Sequence, residues 1–286
     1  MATFYNQATL SYNGNLTSSN ITAGEILENL LVTKTPVNSV YSADRDNSYV
    51  ISIVNNSSVS YDNVTITDDL GEYTFNQLDD SVVPLTYITD TVRYFVNGIP
   101  QVDPAVTSEN PLTVTGISVP AGGNAVIVYS ARANSFAPLG EDASVTNTAT
   151  VSGDGFTDIS ASSTTTPESS AFLTISKSLS PAAVEENGRV TYTFTIQNNG
   201  ATAVDASDDV IFRDDFTPPL ADLTAQFNGT MWTEGTNYDY SAATGVYTSL
   251  AGQITVPAAT YVQDPATGAW SVQPGISTLV ISGNIS

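Results

Sequence analysis

Two lysines occur among the 286 residues, and strand alternation turns both toward a core. Lys34 shares a face with Val32, and Lys177 shares one with Leu173 and Ile175. A buried ammonium without a partner is costly, so each lysine needs an acceptor nearby. By the same alternation Asp68 turns inward with Val64 and Ile66, and Asp214 with Val210 and Phe212. Asn147 lies on the face of Val145, Ala149 and Val151, and Asn6 on the face of Phe4, Ala8 and Leu10. Desolvation pushes both lysine and aspartate toward their neutral forms. The plainest use of such a trio is a buried Lys–Asp ion pair with asparagine as its hydrogen-bond partner.

Other chemistry has little to build on. With no His and no Cys, Ser-His-Asp and Cys-His catalysis are excluded, as are disulfides and most zinc sites. Neither a Gly-x-Ser-x-Gly elbow nor a phosphate-cradling glycine loop is present. Asp68-Asp69 cannot flank one glycosidic bond, because adjacent strand residues point to opposite faces. Asp44-Arg45-Asp46-Asn47 offers oxygen ligands for calcium but reads better as a solvated acidic turn. Trp232, Tyr238, Tyr240 and Trp270 suit sandwich and hairpin packing better than a sugar patch, and Asn15-Leu16-Thr17 is a triplet expected by chance. The net charge of -22 leaves no basic surface for nucleic acid or anionic lipid. We therefore expect no enzyme, no cofactor and no metal.

The elements that must position the lysines are short strands. Runs such as Tyr49-Val50-Ile51-Ser52-Ile53 alternate apolar and polar residues. The best helix candidate, residues 26–31, is too short to count. These residues are expected to hold no basic and apolar leader, bilayer-spanning run or sorting tail, a leader having been removed or export taking another route. The expected fold is all-β.

Two copies of one pattern fill the chain. Val32-Thr33-Lys34 matches Ile175-Ser176-Lys177, and Ser48-Tyr49-Val50-Ile51-Ser52-Ile53-Val54-Asn55-Asn56 matches Thr191-Tyr192-Thr193-Phe194-Thr195-Ile196-Gln197-Asn198-Asn199. Val64-Thr65-Ile66-Thr67-Asp68-Asp69 matches Val210-Ile211-Phe212-Arg213-Asp214-Asp215. Copy two has an added stretch, 259–273, in which Pro265-Ala266-Thr267-Gly268 reads as a hairpin turn. These motifs resemble a bacterial surface-repeat family catalogued as domain of unknown function eleven, whose pattern runs Lys, TYTITVTN, VTDTLP, NTATV. Both copies carry the first three parts, and Asn147-Thr148-Ala149-Thr150-Val151 supplies the last for copy one. The resemblance implies tandem Ig-like antiparallel sandwiches and a surface or appendage role, with no known activity.

Copy two has no closing strand of its own. Residues 2–14 match residues 143–155 without a gap, so the missing strand is expected at the N-terminus. A sandwich short of one strand leaves an apolar groove and unpaired backbone groups. A strand from another copy can fill it, with Phe4, Ala8 and Leu10 inward. The alternative is that residues 1–14 cap the first domain or are disordered. The expected organisation is a donor strand 1–14, a linker 15–25, a sandwich 26–159, a Ser/Thr/Pro-rich linker 160–170 and an incomplete sandwich 171–286.

Lys, Asp and Asn on neighbouring sandwich strands also resemble the isopeptide triads of Gram-positive pilins and adhesins. That resemblance implies attack of a neutral lysine on the asparagine amide, with a protonated aspartate moving the proton and ammonia leaving. The candidates are Lys34, Asn147 and Asp68 within domain one, and Lys177, Asn6 and Asp214 between molecules. The reading is a fibre subunit on a bacterial cell or spore surface. Its partners would be identical subunits, not nucleic acid, membrane or a small molecule. A surface adhesin using 259–273 to contact a ligand, and a passive spacer, are the rival readings.

Overall fold

Strands with one apolar face must lay those faces together in pairs. The computed structural model describes residues 2–26, 29–76 and 79–285. Every regular element described is a strand, apart from a 3-10 turn at Ala206–Asp208, so the chain is all-β. Thr22–Ile26 and Leu30–Pro36, which overlap the two ends of the short helix candidate 26–31, are strands. Residues 27 and 28 lie outside the described ones.

Unit one is a sandwich of two sheets. One orders Ile99–Pro100, Arg93–Val96, Asn124–Ala133, Asp46–Asn55 and Leu30–Pro36, with Leu85–Tyr87 also on Asn124–Ala133. The other orders Ala105–Glu109, Leu112–Val119, Tyr61–Asp68, Val145–Ser152, Ile159–Pro167 and Val40–Tyr41. Tyr49, Ile51 and Ile53 of the first share a buried core with Val64, Ile66, Ile117 and Val151 of the second. Leu30–Pro36 is the lysine strand, Tyr61–Asp68 the aspartate strand, and Val145–Ser152 with Ile159–Pro167 the closing hairpin.

That hairpin corrects the expected linker at 160–170. Residues 159–165 pair with the closing strand in a register running from Val145↔Thr165 to Val151↔Ile159, and Thr166 and Pro167 pair with Val40–Tyr41. The segment reads as polar because small hydroxyls do its packing. Thr146–Thr164, Thr148–Ser162 and Thr150–Ser160 are hydroxyl pairs across the strands, and Ser163 and Thr165 are buried.

Unit two has a five-stranded sheet, Leu173–Ser180, Arg189–Asn198, Gly275–Ile285, Leu220–Phe227 and Thr230–Trp232. It faces a smaller sheet of Arg213–Asp215, Val246–Ser249 and Tyr238–Ser241. Phe194, Phe212, Tyr247, Leu279 and Ile281 fill the space between.

The segment 15–25 is also corrected. Asn13 and Gly14 take positive φ, 48° and 78°, the geometry a tight hairpin turn needs. The chain therefore folds back, pairing Thr9–Tyr12 with Asn15–Ser18 and Ala2–Asn6 with Thr22–Ile26. Residues 15–26 are the return arm of a hairpin, not a linker. Every side chain from 5 to 23 is exposed, so the arm does not cap unit one.

The addition in copy two is a hairpin as expected, Thr260–Gln263 against Trp270–Gln273. It reaches unit one. The Trp270 main-chain N–H donates to the Ser135 carbonyl at 2.8 Å. Gln263 Nε2 and Trp270 Nε1 donate to the Tyr73 hydroxyl at 3.0 and 3.1 Å.

Candidate assembly and cross-linking site

In unit one the three expected residues meet in the core. The Lys34 side chain is fully buried, with Nζ 2.7 Å from Asp68 Oδ2. Tyr129 donates its hydroxyl to the same oxygen at 2.8 Å, and the Leu70 N–H donates to Oδ1 at 3.1 Å. Asn147 Nδ2 donates to the Tyr129 hydroxyl at 2.9 Å, while Asn147 Oδ1 is buried without a partner. The stacked rings of Tyr49 and Tyr129 form one wall, with Lys34 Nζ 5.4 and 5.9 Å from their centroids. Strand register explains the meeting: Lys34 faces out of a strand paired with Asp46–Asn55, and Ala149 sits opposite Asp68 two residues beyond Asn147.

Burial is the main electrostatic force here. It lowers the pKa of Lys34, opposed by the charge and hydrogen bond of Asp68. It raises the pKa of Asp68, opposed chiefly by Lys34. Both groups are thus driven toward neutrality. The Tyr129 phenol is pushed well up by burial and by Asp68, so it stays a donor to the carboxyl.

Unit two repeats the pair but leaves it open. Lys177 Nζ is 2.6 Å from Asp214 Oδ2, with the lysine side chain 42% exposed. Its Nζ lies 4.7, 5.2 and 5.4 Å from the rings of Tyr192, Phe194 and Phe216. The position that Tyr129 holds opposite Tyr49 is held opposite Tyr192 by Ile281, which has no hydroxyl. Asn6, the expected third member, stands in the N-terminal hairpin opposite Thr22, with its side chain exposed. Ala8 and Leu10 are exposed as well, and the Phe4 side chain lies outside the described residues.

The difference between the units has a plain cause. In unit one the aspartate strand is flanked by Leu112–Val119 and by the closing strand. In unit two, among the described residues, Arg213–Asp215 pairs with Val246–Ser249 and its other edge is free. The lysine strands show the effect. Leu30, Val32 and Lys34 are buried, whereas the matching Ile175 is 56% exposed and Lys177 is also exposed.

Tyr129 was not among the residues singled out from the sequence. Its signal was available, since alternation places it with Ala125 and Ile127 on the buried face of Asn124–Ala133. The suspected aromatic patch is dispersed: Trp232 stacks on Phe227, Tyr238 stacks on Tyr247, and Trp270 serves the joint. Around the suspected calcium turn, Asp44 accepts from Ser42, and Asp46 pairs with Arg132. Among the described residues no group of His, Cys, Asp and Glu could hold a metal.

The geometry defines a class: a two-unit β-sandwich protein with one closed and one open unit and an exposed terminal hairpin. No family model matches the chain, and no curated protein matches it. Solved structures similar to it include the pilus backbone RrgB of Streptococcus pneumoniae, at 14% identity and TM-score 0.32, covering 86% of this chain and 55% of that one. The major pilin subunit BcpA of Bacillus cereus matches at 10% identity and TM-score 0.38, covering 94% and 70%. Murine CEACAM1b matches at 13% identity and TM-score 0.23, covering 77% and 84%. This chain spans about half the length of the pneumococcal protein. Likenesses this distant say nothing of function. No helix described is long and apolar enough to cross a membrane.

Proposed function

We propose that this protein is a structural subunit of an extracellular bacterial fibre, in which the N-terminal strand of one copy fills the open unit of the next. One observation carries the reading. Among the described residues the aspartate strand of unit two has a free edge, and residues 2–14 match the strand that occupies that edge in unit one. Closing the groove removes apolar surface from water at about 25 cal/mol per Å². Self-closure would require the arm to traverse all of unit one, beyond the reach of so short a segment. The contact joins different surfaces, so it propagates as a filament. The resemblance of the repeat motifs to bacterial surface proteins agrees with this. For the rival adhesin reading the hairpin keeps Val262 and Val272 exposed, while Gln263 and Trp270 are engaged on unit one.

The site also supports covalent locking. Neutral Lys34 Nζ attacks Asn147 Cγ, the new Nζ–Cγ bond forms and the Cγ–Nδ2 bond breaks. Asp68 takes the proton from Nζ and gives its own to Nδ2, which leaves as ammonia. Tyr129 holds that nitrogen beside the carboxyl. Lys177 and Asp214 would do the same with Asn6 of the incoming copy, without the tyrosine.

Purified protein examined by negative-stain microscopy should show filaments, and removal of residues 2–14 should abolish them. Intact mass should fall by one ammonia in Lys34–Asn147-linked chains, and SDS-resistant ladders should appear later than that mass loss. Filaments formed by the truncated chain would overturn the donor reading. An unshifted mass with a single band would remove both covalent bonds.

A further inference from the structure

The fibre reading needs one donated strand, but the open side of unit two has room for two. Resting on that reading, we infer that the donated element is the whole N-terminal hairpin, residues 2–26, which docks on unit two of another copy as a two-stranded piece.

The argument starts from what closes unit one. Its closing strand never acts alone. Val145–Ser152 pairs along its length with Ile159–Pro167, and this second arm, not the first, is the main neighbour of the lysine strand. The second arm also pairs in parallel with Val40–Tyr41, over which Tyr41 is buried. Unit two lacks the equivalents of both arms among its described strands. The free edge of Arg213–Asp215 corresponds to the missing first arm. The bare lysine strand, with Ile175 and Leu179 exposed, and Val184 in the place of Tyr41, correspond to the missing second arm.

The base of the N-terminal hairpin, Ala2–Asn6 with Thr22–Ile26, supplies both in matching register, and beyond Asn6 the pairing slips by one residue, to Leu10 opposite Thr17. Asn147 sits opposite Ser163, and Asn6 sits opposite Thr22. Val145 sits opposite Thr165, and Phe4 opposite Gly24. The same shift of numbering that aligns residues 2–14 with 143–155 therefore aligns Thr22 and Gly24 with Ser163 and Thr165. The buried Ser163 and Thr165 of the second arm are small, as are the matching Thr22 and Gly24. A separate observation points the same way. A two-stranded ribbon in water is marginal on its own, yet this one exposes Leu10, whose counterpart Val151 is fully buried.

In the docked state residues 2–12 pair with the free edge of Arg213–Asp215, with Ala8 opposite Asp214 as Ala149 is opposite Asp68. Residues 22–26 lie over Ile175, Lys177 and Leu179 and end against residues 183–184.

The test uses the full chain carrying Ile175→Cys, whose thiol is unique because the natural sequence has no cysteine. Maleimide labelling reports the second arm, and hydrogen exchange at the amides of Arg213–Asp215 reports the first. The expected result is that filament formation slows both by about tenfold or more relative to unassembled chains. Filaments with protected amides and a freely reacting thiol would overturn the two-stranded donor and leave the fibre reading standing. Filaments with neither protected, or no filaments, would overturn the fibre reading itself. Leu179→Cys, at another exposed position of the same strand, is the second reporter should Ile175→Cys perturb folding.

Discussion

At the residue scale the buried Lys34–Asp68 pair is the most consequential feature, because neither member is tolerable alone. Breaking a buried pair by removing one partner typically costs about 3–5 kcal/mol. In Lys34→Met the remaining carboxyl is held above its ordinary pKa of 3.8 by burial. Across the window from 3.8 up to the raised value, folded Asp68 keeps a proton that the unfolded chain has released. Its raised folded pKa makes stability greatest below 3.8 and lost as pH climbs through that window. The deficit in Tm of Lys34→Met against wild type should therefore widen from about pH 3 to pH 7. Thermal melts followed by circular dichroism measure this, and a deficit that shrinks with rising pH would contradict the assignment of Asp68 as the buried acid. Substitution at Lys177 should cost less stability, since the lysine side chain is 42% exposed.

At the scale of strands, the same sequence pattern gives opposite burial in the two units, so burial is decided by what lies alongside. Leu10→Asp tests this. Leu10 is 66% exposed in the single chain, so the change should leave the stability of the unassembled protein within about 0.5 kcal/mol. In the docked arrangement Leu10 takes the place of Val151, which is fully buried, and a carboxylate there should abolish filaments. Calorimetry with negative-stain microscopy reads both halves, and filaments of normal length would rule out that inward face. Much of this architecture was legible beforehand. Strands such as Tyr61–Asp68 advertise themselves because one side is apolar and the other is not, and Lys34, Asp68 and Asn147 were placed by counting in twos. The two arms at 15–26 and 159–167 were not legible as strands. The second packs through Ser and Thr, which carry almost no apolar signal, and the first packs on nothing in the single chain, so the tight Asn13-Gly14 turn was its local clue. Tyr129 was missed because it answers to a partner on another strand, which no local pattern reveals.

At the scale of the molecule, the two units are held by the hairpin Thr260–Gln263 and Trp270–Gln273 resting on Tyr73 and Ser135. Trp270→Ala removes its largest anchor. Because the anchor lies outside both cores, Tm should change little, whereas small-angle scattering of unassembled chains should show a broader spread of interdomain distances. An unchanged scattering profile would mean the hairpin does not hold the joint. Unit one has nothing comparable: at the matching point the chain makes only the tight turn around Gly122 and Gly123. In a polymer each second unit therefore props itself on the unit before it, and each first unit does not. Such a thread would behave as stiff two-bead rods linked by softer couplings, and its curvature in tomograms would gather at every other bead.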